Sequence, residues 1–236
     1  MSKLLNKFPK DKVTVALAAA IFILVGATIY INIVKQNAVD RSKIPEKVEN
    51  HGRWQRWITN LKNKDLEIEA DEFRLKEENE IYNTKWMQVY SLDEEGKREE
   101  FWQNIEDHKD IKKVIFSPNE RGFVDYRDIA RDGYAPDQVH YYGLRDDKII
   151  DARILDCSLE AHCYFDRAYF LDNNVFVISE ISRDIDKDDE DVPACVMEEM
   201  CAYTFKVHVI DLINNSRLVY ESKPFEVVLA EFKPEL

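Results

Sequence analysis

The feature that most constrains this chain is an uncharged hydrophobic stretch near the N-terminus, from Val13 to Val34. Its 22 residues read VTVALAAAIFILVGATIYINIV and include no charged side chain. As a helix the stretch would extend roughly 33 Å, which is enough for the ~30 Å hydrocarbon core of a bilayer. A helix buried in a soluble core usually keeps a polar stripe, whereas the polar residues here lie toward the two ends. The stretch predicts a transmembrane helix over residues 13–34.

A cleaved signal peptide is the main alternative for this stretch. Signal peptides have an apolar region of about 7–15 residues that ends in a cleavage site of small residues. Here the apolar region is longer, and the alanines of residues 16–20 lie at its start. Cleavage there would not remove the apolar region. We therefore expect an uncleaved signal anchor, with residues 1–12 as a short tail and residues 35–50 as a tether.

The orientation of the anchor depends on its flanking charges and on the cysteines. Basic residues flank the stretch in equal number, namely Lys3, Lys7, Lys10 and Lys12 before it and Lys35, Arg41, Lys43 and Lys47 after it. The positive-inside rule is therefore nearly balanced, although the first group is the more compact. All four cysteines follow residue 156, as an even number in two equal spacings, which is typical of an oxidising compartment. We expect a single-pass protein of the cell or inner membrane, with the N-terminus in the cytoplasm and the C-terminal domain outside.

The part of the chain beyond the tether is strongly acidic. Residues 1–50 hold eight Lys and Arg against four Asp and Glu, which leaves 25 against 42 in residues 51–236, a net charge of −17. A nucleic-acid-binding surface must neutralise phosphates with basic side chains, so this composition argues against a nucleic-acid partner.

Residues 51–236 show two short helical patterns among many strand patterns. Trp54, Trp57, Ile58 and Leu61 share one helical face, either as part of a core or at the lipid headgroups, and residues 94–108 form a second helix that buries Phe101, Trp102 and Ile105. Short apolar runs separated by polar turns predict strands over residues 66–75, 81–92, 111–116, 122–126, 139–144, 148–155, 168–170, 175–181, 204–211, 217–221 and 225–232. The predicted fold is a single N-terminal transmembrane helix followed by a mostly antiparallel β (α+β) extracytosolic domain over residues 51–236.

Two segments of this domain repeat one pattern. Residues 157–163 (CSLEAHC) and 195–201 (CVMEEMC) share C-x-[LM]-E-x-x-C, and each is followed by a strand that leads to an Asn-Asn turn. The cysteines are offset by 38 residues and the turns by 41, which is the length of a four-stranded propeller blade. Over about 60 residues the sequence resembles the strands of a β-propeller blade. The resemblance implies a blade-like sheet and identifies no particular family.

The four cysteines, Cys157, Cys163, Cys195 and Cys201, are predicted to form disulfides. A zinc site usually has two to four residues between paired cysteines, whereas five lie between them here. Four cysteines permit three connectivities, which a sequence cannot distinguish, although the repeated spacing favours two local bridges. Zinc and free thiols remain the alternatives.

An acidic loop over residues 184–191 is the one candidate for a cation. Asp184, Asp186 and Asp188 fit the start of a calcium-binding loop, but Asp189 and Cys195 stand where an EF-hand needs Gly and Glu. A solvated acidic loop is the simpler interpretation, and no metal ligand is assigned.

No catalytic motif is present in the sequence: there is no HExxH, GxSxG, P-loop or GxGxxG pattern. We therefore assign no catalytic residue and no cofactor. The leading hypothesis is a membrane-anchored binding or structural domain with a protein or envelope partner, which is not an enzyme. The alternatives are an extracytosolic hydrolase whose carboxylates the fold brings together, and a cation-binding module that uses residues 184–191.

Overall fold

The computed structural model describes residues 19–31, 52–63, 66, 68–81, 86–127, 137–157, 162–183 and 195–232. The chain divides into two compact units, Met1–Arg41 and Ser42–Leu236. The tether predicted at residues 35–50 and the acidic loop at residues 184–191 lie outside the described residues.

In the first unit, residues 19–31 form a helix, α1, whose side chains are all exposed. Large apolar side chains on it include Phe22, which is 78% exposed, and Ile23, which is 71% exposed. Among the described residues, no helix is both long and apolar enough to cross a membrane. The transmembrane helix over residues 13–34 therefore stays a prediction.

The second unit consists mostly of antiparallel strands with a few helices. Its helices are α2 (Gly52–Lys62), α3 (Lys97–Asp107) and α4 (Leu229–Phe232), with a short 3-10 turn at Ala70–Glu72. Its strands are β1 (Arg74–Glu80), β2 (Met87–Ser91), β3 (Val114–Phe116), β4 (Gly122–Asp125), β5 (Gln138–Arg145), β6 (Lys148–Asp156), β7 (Cys163–Phe170), β8 (Val175–Ser182), β9 (Met200–Asp211), β10 (Ser216–Glu221) and β11 (Phe225–Val228). The mostly antiparallel β prediction is confirmed.

The strands form two sheets. Sheet A has the order β1-β10-β9-β8-β7, and β11 pairs with the first part of β9. Sheet B has the order β2-β6-β5-β4-β3. Each copy of the sequence repeat leads into one hairpin of sheet A, β7–β8 or β9–β10, so the two copies together form a four-stranded antiparallel meander.

Alternation along the strands explains how the sheets pack. On β8, Val175 and Val177 belong to one apolar cluster, whereas Phe176 and Ile178 belong to another. Successive side chains of a strand point to opposite faces, so sheet A is buried on both sides. The second cluster also contains side chains of β5 and β6, which shows that the two sheets pack against each other. The first cluster contains the buried face of α2, and a third cluster joins α3 to the outer face of sheet B.

The structure corrects several sequence-based boundaries. Trp102 is 44% exposed rather than buried, because the buried face of α3 is set by Phe101 and Ile105. Residues 66–72 form no strand where described, and residues 229–232, predicted as strand, form α4. The tryptophans of α2 contact the core of the domain, since Trp54 and Trp57 are 3% and 4% exposed.

Candidate functional site

The four cysteines lie as two pairs, each at disulfide distance. Cys157 pairs with Cys163 and Cys195 with Cys201, with Cα–Cα distances of 5.4 Å and 6.5 Å. Because β6 belongs to sheet B and β7 to sheet A, the Cys157–Cys163 bridge joins the two sheets where the chain passes between them. The other bridge closes the loop that leads into β9.

Each cysteine pair has a carboxylate beside it. The Glu180 carboxylate lies within 4.8 Å of the sulfur atoms of Cys157 and Cys163, and that of Glu199 lies equally near the other pair. A zinc site uses cysteine as thiolate, whereas a sulfur atom in a disulfide carries no such charge. The paired form seen here therefore offers no thiolate ligand. Asp184, Asp186 and Asp188 lie outside the described residues, so calcium binding there stays a prediction.

Glu180 on β8 is also the centre of a polar cluster with the buried His208 and the partly buried Lys206 of β9. The Nε2 atom of His208 lies 2.8 Å from Oε2 of Glu180, and Nζ of Lys206 lies 3.4 Å from Oε1. In the register of the two strands Glu180 is directly opposite Lys206, and all three residues follow the alternation that faces sheet B. Glu180 is 6% exposed and His208 is 3% exposed.

The environment of Glu180 strongly favours its ionised form. Burial by itself raises the pKa of the carboxyl group, but the hydrogen bond and charge of His208, together with the charge of Lys206, outweigh it and lower the pKa to about 2. A general acid needs the opposite shift. Among the described residues, Nδ1 of His208 has no hydrogen-bond partner. The cluster lies within the core, so its evident role is to fix the pairing of β8 with β9, because a slipped register would leave a buried charge unpaired.

A second polar group lies on the outer face of sheet B, and it runs from the buried Asp125 to the exposed Trp86. The register places Asp125 of β4 opposite His140 of β5, and His140 opposite Arg153 of β6. Trp86 immediately precedes β2, and its ring lies under the Arg153 guanidinium, with the Cζ atom 3.5 Å from the ring centroid. We call these four residues the outer row. At about 4.8 Å per strand, the row extends roughly 14 Å across the sheet.

Hydrogen bonds and ion pairs hold the outer row in place. Arg153 Nη1 donates to Asp156 Oδ2 at 2.8 Å, and Gln138 Nε2 donates to Asp156 Oδ1 at 3.2 Å. His140 Nε2 lies 3.1 Å from Gln138 Oε1. At the far end, Arg127 holds Asp125 through Nε at 2.9 Å and Nη2 at 2.6 Å. These contacts fix the side chains before any ligand arrives.

The outer row lies where the cover of sheet B by α3 ends. In the next row along the sheet, Phe123 and Tyr142 pack with Phe101 of α3. Beyond it, Trp86 is 43% exposed and the Arg153 side chain is 15% exposed. A bulge between Val139 and His140 accompanies this change of surface, as bulges often do beside functional sites. The arrangement places one exposed aromatic ring beside a row of buried and partly buried polar side chains on paired strands.

Sequence reasoning did not find the outer row. Its signal was present on β6, where Asp151 and Arg153 alternate with the buried Ile150 and Ala152. That alternation predicts a face with polar side chains, but it does not show which neighbours the strand order places beside them.

Comparison of the chain with protein-family models, with curated proteins and with solved structures gives no match.

Proposed function

We propose that this protein is a membrane-anchored binding domain that holds a protein partner on the outer row. Residues 13–34 would be the anchor and residues 51–236 the domain outside the membrane. The uncharged stretch supports the anchor, and so does the exposure of the apolar side chains of α1. An apolar helix with every side chain in contact with water is unfavourable, and a bilayer would remove that cost.

The oxidising compartment is supported by the cysteines. All four lie in the acidic domain, and each is within disulfide distance of another. Disulfides persist in extracytosolic compartments and are rare where thiols are kept reduced. The compact group of lysines at residues 3–12 then favours a cytoplasmic N-terminus.

The stacked pair of Trp86 and Arg153 is the observation that carries the binding function. Trp and Arg are enriched among the residues that dominate the free energy of protein–protein association. Here the indole is exposed on one side, while Asp156 holds the guanidinium on the other. Because the side chains are already ordered, a partner pays little entropy to contact them.

Photo-crosslinking from Gln88 tests the binding function. Gln88 is exposed and lies two residues from Trp86 on the same face of β2. Because Gln88 is not a member of the outer row, a photoreactive residue at this position can reach a bound partner while the four residues of the row stay unchanged. In intact cells that express the full chain, we expect a protein adduct. Trp86→Ala should lower its yield about tenfold or more, as the loss of a central aromatic contact usually does.

Trp102→Ala is the matched control, because Trp102 is 44% exposed on α3 but lies outside the outer row. It should leave the adduct unchanged. An adduct that survives Trp86→Ala, or the lack of any adduct, would exclude the row as the binding surface. An adduct that resists protease but is removed by a glycosidase would show that the partner is a glycan and not a protein.

A further inference from the structure

The two disulfides share one spacing but lie in different surroundings. Cys157 and Cys163 are 5% and 4% exposed and belong to the core between the sheets. In the other pair Cys195 is 4% exposed, but Cys201 is partly exposed. The loop between Cys195 and Cys201 also carries Val196 and Met200, which are 52% and 67% exposed.

This difference decides which bridge a thiol can reach. Thiol–disulfide exchange begins when a thiolate attacks one sulfur atom along the S–S axis, so it needs access to that atom. Cys201 packs against the first apolar cluster but is partly exposed, so of the four cysteines in the two bridges it is the one that solvent reaches. A thiolate that reached Cys157 or Cys163 would have to enter between the sheets, beside the buried Glu180 carboxylate, where low dielectric makes like charges strongly repulsive. The Glu199 carboxylate beside the other pair is exposed, so water screens its charge. Local opening of the sandwich would have to come first.

The Cys195–Cys201 bridge also lies beside the C-terminal segment, residues 225–232. On β9, Cys201 pairs with Val227 and Met200 pairs with Val228 of β11. The backbone N–H of Ala230 donates to the carbonyl of Met197, inside the loop, at 2.9 Å. Leu229 follows β11 directly and is fully buried in the cluster that contains α2. The loop conformation held by the bridge therefore supports the packing of the C-terminal segment.

We propose that the Cys195–Cys201 bridge is a redox switch, which a dithiol reductant opens while the Cys157–Cys163 bridge stays closed, and that its opening releases residues 225–232 from the core. One thiolate of the reductant attacks Sγ of Cys201, and the S–S bond breaks to leave the Cys195 thiolate, which takes up a proton. The second thiol of the reductant then displaces Cys201 and closes the reductant's own disulfide. The protein gains two electrons and two protons, and the dithiol loses the same number.

The released form would differ from the closed one in a defined way. Sγ of Cys195 lies 3.4 Å from the carbonyl oxygen of Val196 and 4.0 Å from the hydroxyl of Tyr203, so a thiol there has hydrogen-bonding groups beside it. Leu229 and the ring of Phe225, which stacks on Phe205 at 4.8 Å, would leave their places. Release would uncover apolar surface over α2 and β9. This switch is independent of the outer row and of any partner held there.

Differential alkylation of the full chain tests the switch. The folded protein is treated with dithiothreitol, free thiols are trapped with N-ethylmaleimide at intervals, and labelled peptides are identified by mass spectrometry. Cys195 and Cys201 should be labelled about tenfold faster or more than Cys157 and Cys163. Equal rates, or faster labelling of Cys157 and Cys163, would overturn the proposal.

Hydrogen exchange measures the release. After selective reduction, amides of residues 225–231 should lose protection, while those of β5 and β6 keep theirs. Unchanged protection of the C-terminal segment would refute the release. A variant with both Cys195→Ser and Cys201→Ser should show the fast exchange without reductant. If that variant does not fold, the alkylation rates of the wild-type cysteines and the hydrogen exchange of the reduced wild type still test the proposal.

Discussion

Replacing Glu180 by Gln should lower the free energy of unfolding by about 3–5 kcal/mol at neutral pH, because it removes the buried anion that the Lys206 ammonium and the His208 imidazole contact. His208 and Lys206 are held by this carboxylate at 2.8 Å and 3.4 Å between the sheets. A glutamine of the same shape removes the charge and adds no cavity, so the loss measures the ionic contacts. Urea unfolding followed by tryptophan fluorescence gives the free energy.

The Glu180→Gln variant should also differ from the wild type in how its free energy of unfolding depends on pH in acid. Folding lowers the pKa of Glu180 from an ordinary 4.5 to about 2, so the stability that this group contributes is complete above about pH 4.5 and is lost as the pH falls toward 2. The Glu180→Gln variant lacks this contribution, and its stability should change less over that range. Glu226→Gln, on the exposed side of β11, is the control and should stay within about 0.5 kcal/mol of the wild type. Equal stability and equal acid profiles for Glu180→Gln and wild type would show that the cluster does not stabilise the fold.

Replacing Phe101 by Ala should lower the free energy of unfolding by about 3–5 kcal/mol, because it leaves a cavity between α3 and sheet B. Phe101 is fully buried, and its ring stacks on that of Tyr142 at 5.6 Å. Its neighbour Trp102 is a matched control on the same helix, with 44% of the side chain exposed. Trp102→Ala should cost far less, although its edge contact with Phe101 at 5.0 Å contributes a little.

The comparison of these two variants by urea unfolding tests how α3 is oriented on the sheet. If Trp102→Ala were the more destabilising of the two, α3 would pack through its other face. The outer row would then lie beside a different helix surface.

Much of the fold could be predicted from local patterns. Alternation and Asn- or Asp-rich turns identified the hairpins β5–β6, β7–β8 and β9–β10, because each depends on residues close in sequence. The bounds of β1 were not predicted: the sequence pattern indicated a strand over residues 66–75, whereas β1 is Arg74–Glu80. Its residues, RLKEENE, are all exposed, and charged side chains of this kind mark a sheet edge rather than a core strand. The pairing of β1 with β10 joins residues far apart in the chain, which local patterns do not report.

The polar groups of the interior could not be predicted for the same reason. Glu180 and His208 read as ordinary polar residues in two strands, and only the register of β8 with β9 brings them together. The outer row likewise depends on the order β2-β6-β5-β4, which places Trp86 beside residues that lie more than 35 positions further along the chain. Strand order is set by packing across the whole domain, not by the sequence of one hairpin.

Protease treatment of intact cells, or of spheroplasts where a cell wall intervenes, tests most directly the central claim that the domain is displayed outside the membrane. With the full chain in the membrane, the protease should digest residues beyond about 50 and spare the tail at residues 1–12, because the bilayer shields the cytoplasmic side. Antibodies against tags at the two termini would follow each side separately. A C-terminal domain that stays intact until the membrane is lysed would contradict the proposed orientation and the oxidising compartment together.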